Sequence, residues 1–457
     1  MTVATSSYRD RPAPVVAGVW RCLAMIGVLV FFGVPRTARG ADPTDPLQTL
    51  QRQIEKRRFS VLRGAVGDPT TWSDMGGIDP KTWELRNPWV KWPDRPISTD
   101  VVSAYYYGGT FEDEQTGAID DAVPLTDEQT RLLARIPTLR LLAFGDADLK
   151  PSHLGALASL AELKILYISQ NSLTEEDFVA IGRMKELRSL YFGIEKGIDD
   201  IGLKQLASLS KLVSLSFSGG RGMTDDGLRA LAGLKSLRSL KIDGAPITDA
   251  GLVHLASLQS LRVLIINARQ VDGTGVRHLA TVPLLELTLP GATSDGLKGV
   301  ARCVSLHKLD ISGWKPKRVE LNALADMPNL WWLAARCDIA NEGIRDLHKL
   351  VSLRYLDLTG CVSIDDGAAE YLAKMTSLQH LELNSTRITE AGLVQLKTLS
   401  NLRWLTLPWG DDKRRDRCLE IKKLREALPH CTISGWPPTP WEFHVREPRE
   451  ETQRTEK

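Results

Sequence analysis

Leucines recur along the middle of this chain in two alternating rhythms. Segments of the form Leu-x-x-Leu-x-Leu alternate apolar and polar positions with a period of two, which predicts a short strand. Each is followed by a Gly-Leu-x-x-Leu-type segment with apolar residues three and four apart, which predicts a helix. ITDAGLVHLASLQSLRVLII (247–266) and ITEAGLVQLKTLSNLRWLTL (388–407) are near copies of one another. Anchored on the first Leu of the strand segment, twelve copies begin at Leu139, Leu163, Leu187, Leu212, Leu237, Leu261, Leu284, Leu306, Leu330, Leu353, Leu378 and Leu402, spaced 22–25 residues apart. Such a period identifies a repeat array rather than one compact core. Between strand and helix, Thr248-Asp249, Thr224-Asp225-Asp226, Asp199-Asp200 and Asp365-Asp366 fall where a helix needs an N-cap acceptor and favours negative charge. Strand alternating with helix predicts strands stacked in parallel with the helices outside. A single unit has too little apolar surface to fold alone, so neighbours must stack and the two ends need caps.

These residues resemble leucine-rich-repeat proteins, with a bacterial-type 24-residue unit LxxLxLxxxxITDxGLxxLxxL over about 139–407. The copy LRYLDLTGCVSIDDGAAEYLAKM (353–375) is similar to the cysteine-containing subclass: Cys361 stands at the ladder position that Asn171 fills in an earlier copy, while Ala245 and Thr386 stand there in others. The resemblance implies an α/β fold, a right-handed leucine-rich-repeat solenoid or horseshoe with a parallel β-sheet on its concave face and helices on its convex face.

The chain outside the array divides into further segments. Residues 1–40 place Arg9, Arg11 and Arg21 before the thirteen-residue apolar run CLAMIGVLVFFGV (22–34) and the small-residue site Ala38-Arg39-Gly40. That is the layout of an export signal, and the run is short of the ~20 residues a spanning helix needs. The expected location is therefore exported (periplasmic, secreted or cell-surface), with a membrane anchor if the segment stays uncleaved. Residues 41–100 hold an amphipathic helix around 47–59 and a Trp- and Pro-rich stretch with Trp72, Trp83, Trp89 and Trp92; they read as an N-terminal cap or, alternatively, a separate binding module. Residues 101–138 read as a degenerate capping repeat interrupted by the acidic insertion FEDEQTGAIDD, 139–417 as the repeats, 418–434 as a C-terminal cap, and 435–457 as a disordered charged tail.

Charge and chemistry narrow the function classes. Net charge is +2, or −2 without the first forty residues, so the expectation is no nucleic-acid partner. Beyond the leader lie Cys303, Cys337, Cys361, Cys418 and Cys431, an odd number without CxxC or zinc-ligand spacing. A Cys418–Cys431 bridge is one reading, and burial as small apolar residues is the preferred one. Glycine-rich phosphate loops, HExxH and GxSxG are absent, and the eight histidines are scattered. The expectation is no enzyme, no cofactor and no metal, the Asp pairs serving as caps.

What remains is the strand face. The third, fifth and seventh residues of each copy line the concave surface, and the third column ends in four consecutive rings, Trp332, Tyr355, His380 and Trp404. With strands ~4.8 Å apart this strip is ~15 Å long. Asp357 and Glu382 flank it in the fifth column and Arg336 in the seventh, completing the candidate ligand-binding set. Aromatic groups beside a few charges suit a protein or glycan ligand. Two other readings stand beside this one: the rings stack only on each other to stiffen the solenoid, or they pack against Trp436–Trp441 of the tail. Tyr167 and Tyr191 form a smaller pair near the other end. Trp331 holds the second position, where six copies have Arg, and is expected at the rim. The functional expectation is a non-enzymatic exported scaffold that binds a protein or glycan through its concave face. The alternative is an intracellular substrate-recognition adaptor of ubiquitin-ligase type, which the subclass resemblance implies and the leader opposes.

Overall fold

The computed structural model describes residues 59–63, 102–107, 111–112, 119–120, 125–145, 147–194, 198–218, 222–313, 318–408 and 419–435. The leader, the expected helix at 47–59 and the Trp/Pro-rich stretch lie outside them, save the strand Phe59–Arg63. Cys418 and the tail tryptophans also lie outside.

One fifteen-stranded sheet runs the length of the array in chain order. Val102–Tyr107 pairs in parallel with Leu139–Gly145, and every later strand pairs in parallel with its predecessor as far as Thr432–Ser434. Only Phe59–Arg63 is antiparallel, at the sheet's first edge. Equivalent positions of successive copies face each other, for example Leu333↔Leu356 and Leu356↔Leu381. The pattern of apolar positions forces this register, because a slip of one residue would turn every ladder Leu to solvent. Those leucines are fully buried, Leu333, Leu356, Leu381 and Leu405 among them. In the early copies the core adds a phenylalanine spine in which Phe192 and Phe217 stack at 5.5 Å. Ala335 fills the equivalent place in the copy at Leu330.

The helical segments are short and not uniform. Several are α-helical, such as Asp225–Leu231 and Asp366–Leu372, whereas Asp249–Ser257, Thr274–Leu279, Leu321–Leu324 and Asn341–Lys349 tighten to 3-10 geometry. Spacing of three and four suits either form, so the sequence does not separate them. No helix among the described residues is long and apolar enough to cross a membrane.

The acidic positions do more than cap. Thr224 and Thr248 accept from the backbone N–H two residues on and cap their own helices. The next residue reaches across to the following repeat: Asp200 accepts from the Thr224 N–H at 2.8 Å and hydroxyl at 2.7 Å, and Asp225 from the Thr248 N–H at 2.8 Å and hydroxyl at 2.6 Å. Asp366 holds Thr389 in the same way, and Asp249 accepts from the Asp272, Gly273 and Gly275 N–H groups. This explains the Gly of the motif. A Cβ on Gly227 would stand 2.5 Å from Asp200 Oδ1, so the carboxylate of one repeat occupies the space a side chain of the next would need.

Candidate functional site

The rings of the third column stack at the spacing of the strands that carry them. Lys308, Trp332, Tyr355, His380, Trp404 and Thr432 are successive register partners. Ring centroids are 4.9 Å apart for Trp332–Tyr355 with 8° between planes, 5.0 Å and 35° for Tyr355–His380, and 5.9 Å and 12° for His380–Trp404. The strip continues past Trp332 as a cation over a ring face: Lys308 Nζ lies 5.3 Å from the indole centroid and 3.6 Å from Glu286 Oε2.

Each polar group beside the strip is tied to a neighbour. Asp357 Oδ1 accepts from the Thr359 N–H at 2.8 Å, a short turn closing the strand end, and Arg336 Nε lies 3.3 Å from Asp357 Oδ2. Ala334, the register partner of Asp357, has no bulk between them. His380 Nε2 lies 3.4 Å from Glu382 Oε1, and Trp404 Nε1 donates to Thr406 Oγ1 at 3.2 Å. Burial pushes the Asp357 carboxyl above the usual range; its bonds from Thr359 and the Arg336 charge pull the other way, and Glu382 adds to the rise. Burial and the same two acids also push the Tyr355 phenol up, so it stays protonated at neutral pH.

The candidate residues are thus brought together but differ in access. Tyr355 and His380 are 6% exposed, Asp357 5% and Glu382 3%. Trp332 and Trp404 at the two ends are half-buried, and Arg336 is exposed. The inner part of the strip is covered, and the accessible groups are the outer tryptophans and the arginine. Trp331, expected at the rim, is instead 7% exposed. An indole is mostly apolar and gains by full burial at a position where the arginines of other copies are half-buried or exposed.

Near the other end Tyr167 and Tyr191 stack at 4.2 Å and 4°. Their register neighbours on the outer sides are Ala143 and Ser216, both small. Cys361 is fully buried and its thiol donates to the Ala335 carbonyl at 3.1 Å. Burial pushes that thiol up to about 12. Cys303, Cys337 and Cys431 are likewise free thiols. Sequence reasoning missed the Lys308 contact and the Trp404–Thr406 bond, although Lys308 stands one place before Trp332 in the same column.

Comparison with known proteins follows the same line. A family model described as Leucine Rich repeat matches residues 349–373. An internalin from Listeria monocytogenes superposes with a TM-score of 0.50 at 21% identity, over 71% of this chain and 92% of that one. A leucine-rich-repeat protein of Leptospira interrogans gives a TM-score of 0.42 at 16% identity, over 66% and 86%. TLR13 in its complex with ssRNA13 gives 0.46 at 18%, over 61% of this chain and 40% of that one.

Proposed function

We propose that this leucine-rich-repeat fold serves as an exported, non-enzymatic scaffold that binds a protein partner through the concave face between Trp332 and Trp404. The observation that carries the choice of a protein over a sugar is how the rings are used. A glycan platform needs an open ring face, yet the strip turns its faces onto one another and Lys308 sits over the outer face of Trp332. Two half-buried indoles and an exposed guanidinium held on a stiffened sheet are the anchors a protein interface uses, and their rigidity lowers the ordering cost of binding. A glycan reading is favoured only at Tyr167–Tyr191, whose stack is flanked by small side chains.

Export rests on the leader's layout. The near-neutral net charge behind the expectation of no nucleic acid describes the whole chain, and says nothing of a local basic surface. Affinity capture with the mature protein against Trp332→Ala/Trp404→Ala tests the binding site, with Tyr167→Ala/Tyr191→Ala as the competing pair. The expected result is loss of a stoichiometric partner with the first pair alone, its melting temperature staying within a few degrees of the parent. An unchanged capture profile would reduce the strip to internal packing. Sequencing the mature N-terminus tests export, since an intact Met1 on a soluble cytosolic form favours the adaptor reading.

A further inference from the structure

The rim at which the strands begin changes its electrostatics along the array. The second position of each copy is commonly basic, and in the early copies the residue just before the first ladder Leu neutralises it. There Glu162 lies 3.8 Å from Arg140 Nε and 3.9 Å from Lys164 Nζ, and Glu186 lies 3.1 Å from Lys164 Nζ and also pairs with Lys211. In the last copies that place is taken by Ser352, Ser377 and Asn401. Their side chains turn to main-chain carbonyls of the preceding repeat: Ser352 Oγ to Pro328 O at 2.7 Å, Ser377 Oγ to Leu353 O at 2.8 Å, Asn401 Nδ2 to Thr376 O at 2.9 Å. The rim keeps its cations there and loses its acids.

One of those cations, Arg354, joins Lys374 from a helix end at a pocket of about 360 Å³ lined also by His348, Thr376, Gln379 and Asn401. No carboxylate lines it, and among the described residues none pairs with Arg354 or Lys374. A basic cluster near helix C-termini can exist only to satisfy carbonyl groups. Here that need is already met. Arg354 Nη1 donates to Val351 O at 3.1 Å and Ser377 O at 3.3 Å, and the neighbouring carbonyls are held by Ser377 and Asn401. Lys374 Nζ instead lies 5.5 Å from the Tyr371 ring centroid. The remaining guanidinium and ammonium N–H groups are donors in excess of the acceptors the chain supplies.

We propose that this rim pocket binds an oxyanion group of a ligand, a sulfate or phosphate, with Lys374 and Arg354 as its principal contacts. The site is distinct from the concave strip and does not depend on it. The test is a titration of inorganic sulfate into the ¹⁵N-labelled full chain at constant ionic strength, following the backbone amides of Thr376, Ser377 and Gln379. Saturable shifts are expected, weakened about tenfold or more in Lys374→Gln and in Arg354→Gln, the loss of one charge-assisted contact. Lys164→Gln, on the neutralised part of the rim, is expected to titrate like the parent. Arg354 also holds two carbonyls, so Lys374→Gln decides the matter if Arg354→Gln misfolds. A second arm uses a sulfated hexasaccharide: tighter binding than sulfate by tenfold or more identifies a polymer-borne group, and equal affinity a free anion. Linear shifts in the parent, or a Lys374→Gln titration that superposes on it, would overturn the proposal.

Discussion

Asp225 and Asp226 are adjacent acids in the first turn of one helix, and the structure gives them different work. If both acted through the helix dipole, each would contribute a similar ~0.3–1 kcal/mol. Instead Asp225 accepts two hydrogen bonds from Thr248 of the next repeat, at 2.8 and 2.6 Å, whereas Asp226 lies 3.2 Å from Arg229 with both side chains about two-thirds exposed. Removing Asp225 strips the acceptor from a backbone N–H and a hydroxyl. Bonds to a charged acceptor are worth ~1.5–3 kcal/mol each, but Thr248 is half-exposed and water can replace part of the loss. Asp225→Ala is therefore expected to cost ~1–3 kcal/mol and Asp226→Ala no more than ~0.5 kcal/mol. The assay is urea unfolding of both variants and the parent in one buffer, followed by far-UV circular dichroism, comparing midpoints at a shared slope. Equal midpoints for the two variants would refute the cross-repeat bond as the reason for the Asp.

Three further outcomes follow from the same structure. Gly227→Ala, which pushes a methyl group into Asp200, is expected to destabilise by ~1–3 kcal/mol, while Gly155→Ala, with open space around a helical Cα, is expected to be neutral or to stabilise by up to ~1 kcal/mol; thermal melts of the two decide. His153 is buried, accepting the Lys150 N–H on Nδ1 at 3.2 Å with Nε2 3.1 Å from Asp127, and its burial outweighs the Asp127 attraction, lowering its pKa. The unfolded chain then takes up the proton first, so His153's contribution is present above ~pH 6.5 and is lost as pH falls through the lower folded value; His153→Gln should flatten stability against pH in that window. Tyr355→Ala, which removes a buried rung, is expected to cost ~3–5 kcal/mol, and Trp404→Ala, at the half-buried end, clearly less; equal losses in denaturant melts would count against the difference in access.

The sequence by itself determined the repeat, its register and the parallel sheet, because burial of a leucine every few residues leaves one way to align neighbouring units. It also determined that Trp332, Tyr355, His380 and Trp404 share a column, since equal repeat positions must lie side by side. Access was decided only by the tertiary structure. Nothing in the spelling of the copies distinguishes the covered Tyr355 and His380 from the more open Trp332 and Trp404, or says that Trp331 is buried where the arginines of other copies are half-buried or exposed. The acids followed the same division. Asp225 and Asp226 look alike as caps in the chain, and only the stacking of the next repeat selects the first for Thr248 and leaves the second in solvent. The rim pocket lay partly in view as a change from Glu162 and Glu186 to Ser377 and Asn401, but its surplus of donors emerged only once the carbonyls were seen to be satisfied. Local periodicity fixes which residues are neighbours; what each neighbour covers, pairs with or leaves open depends on side-chain reach across repeats.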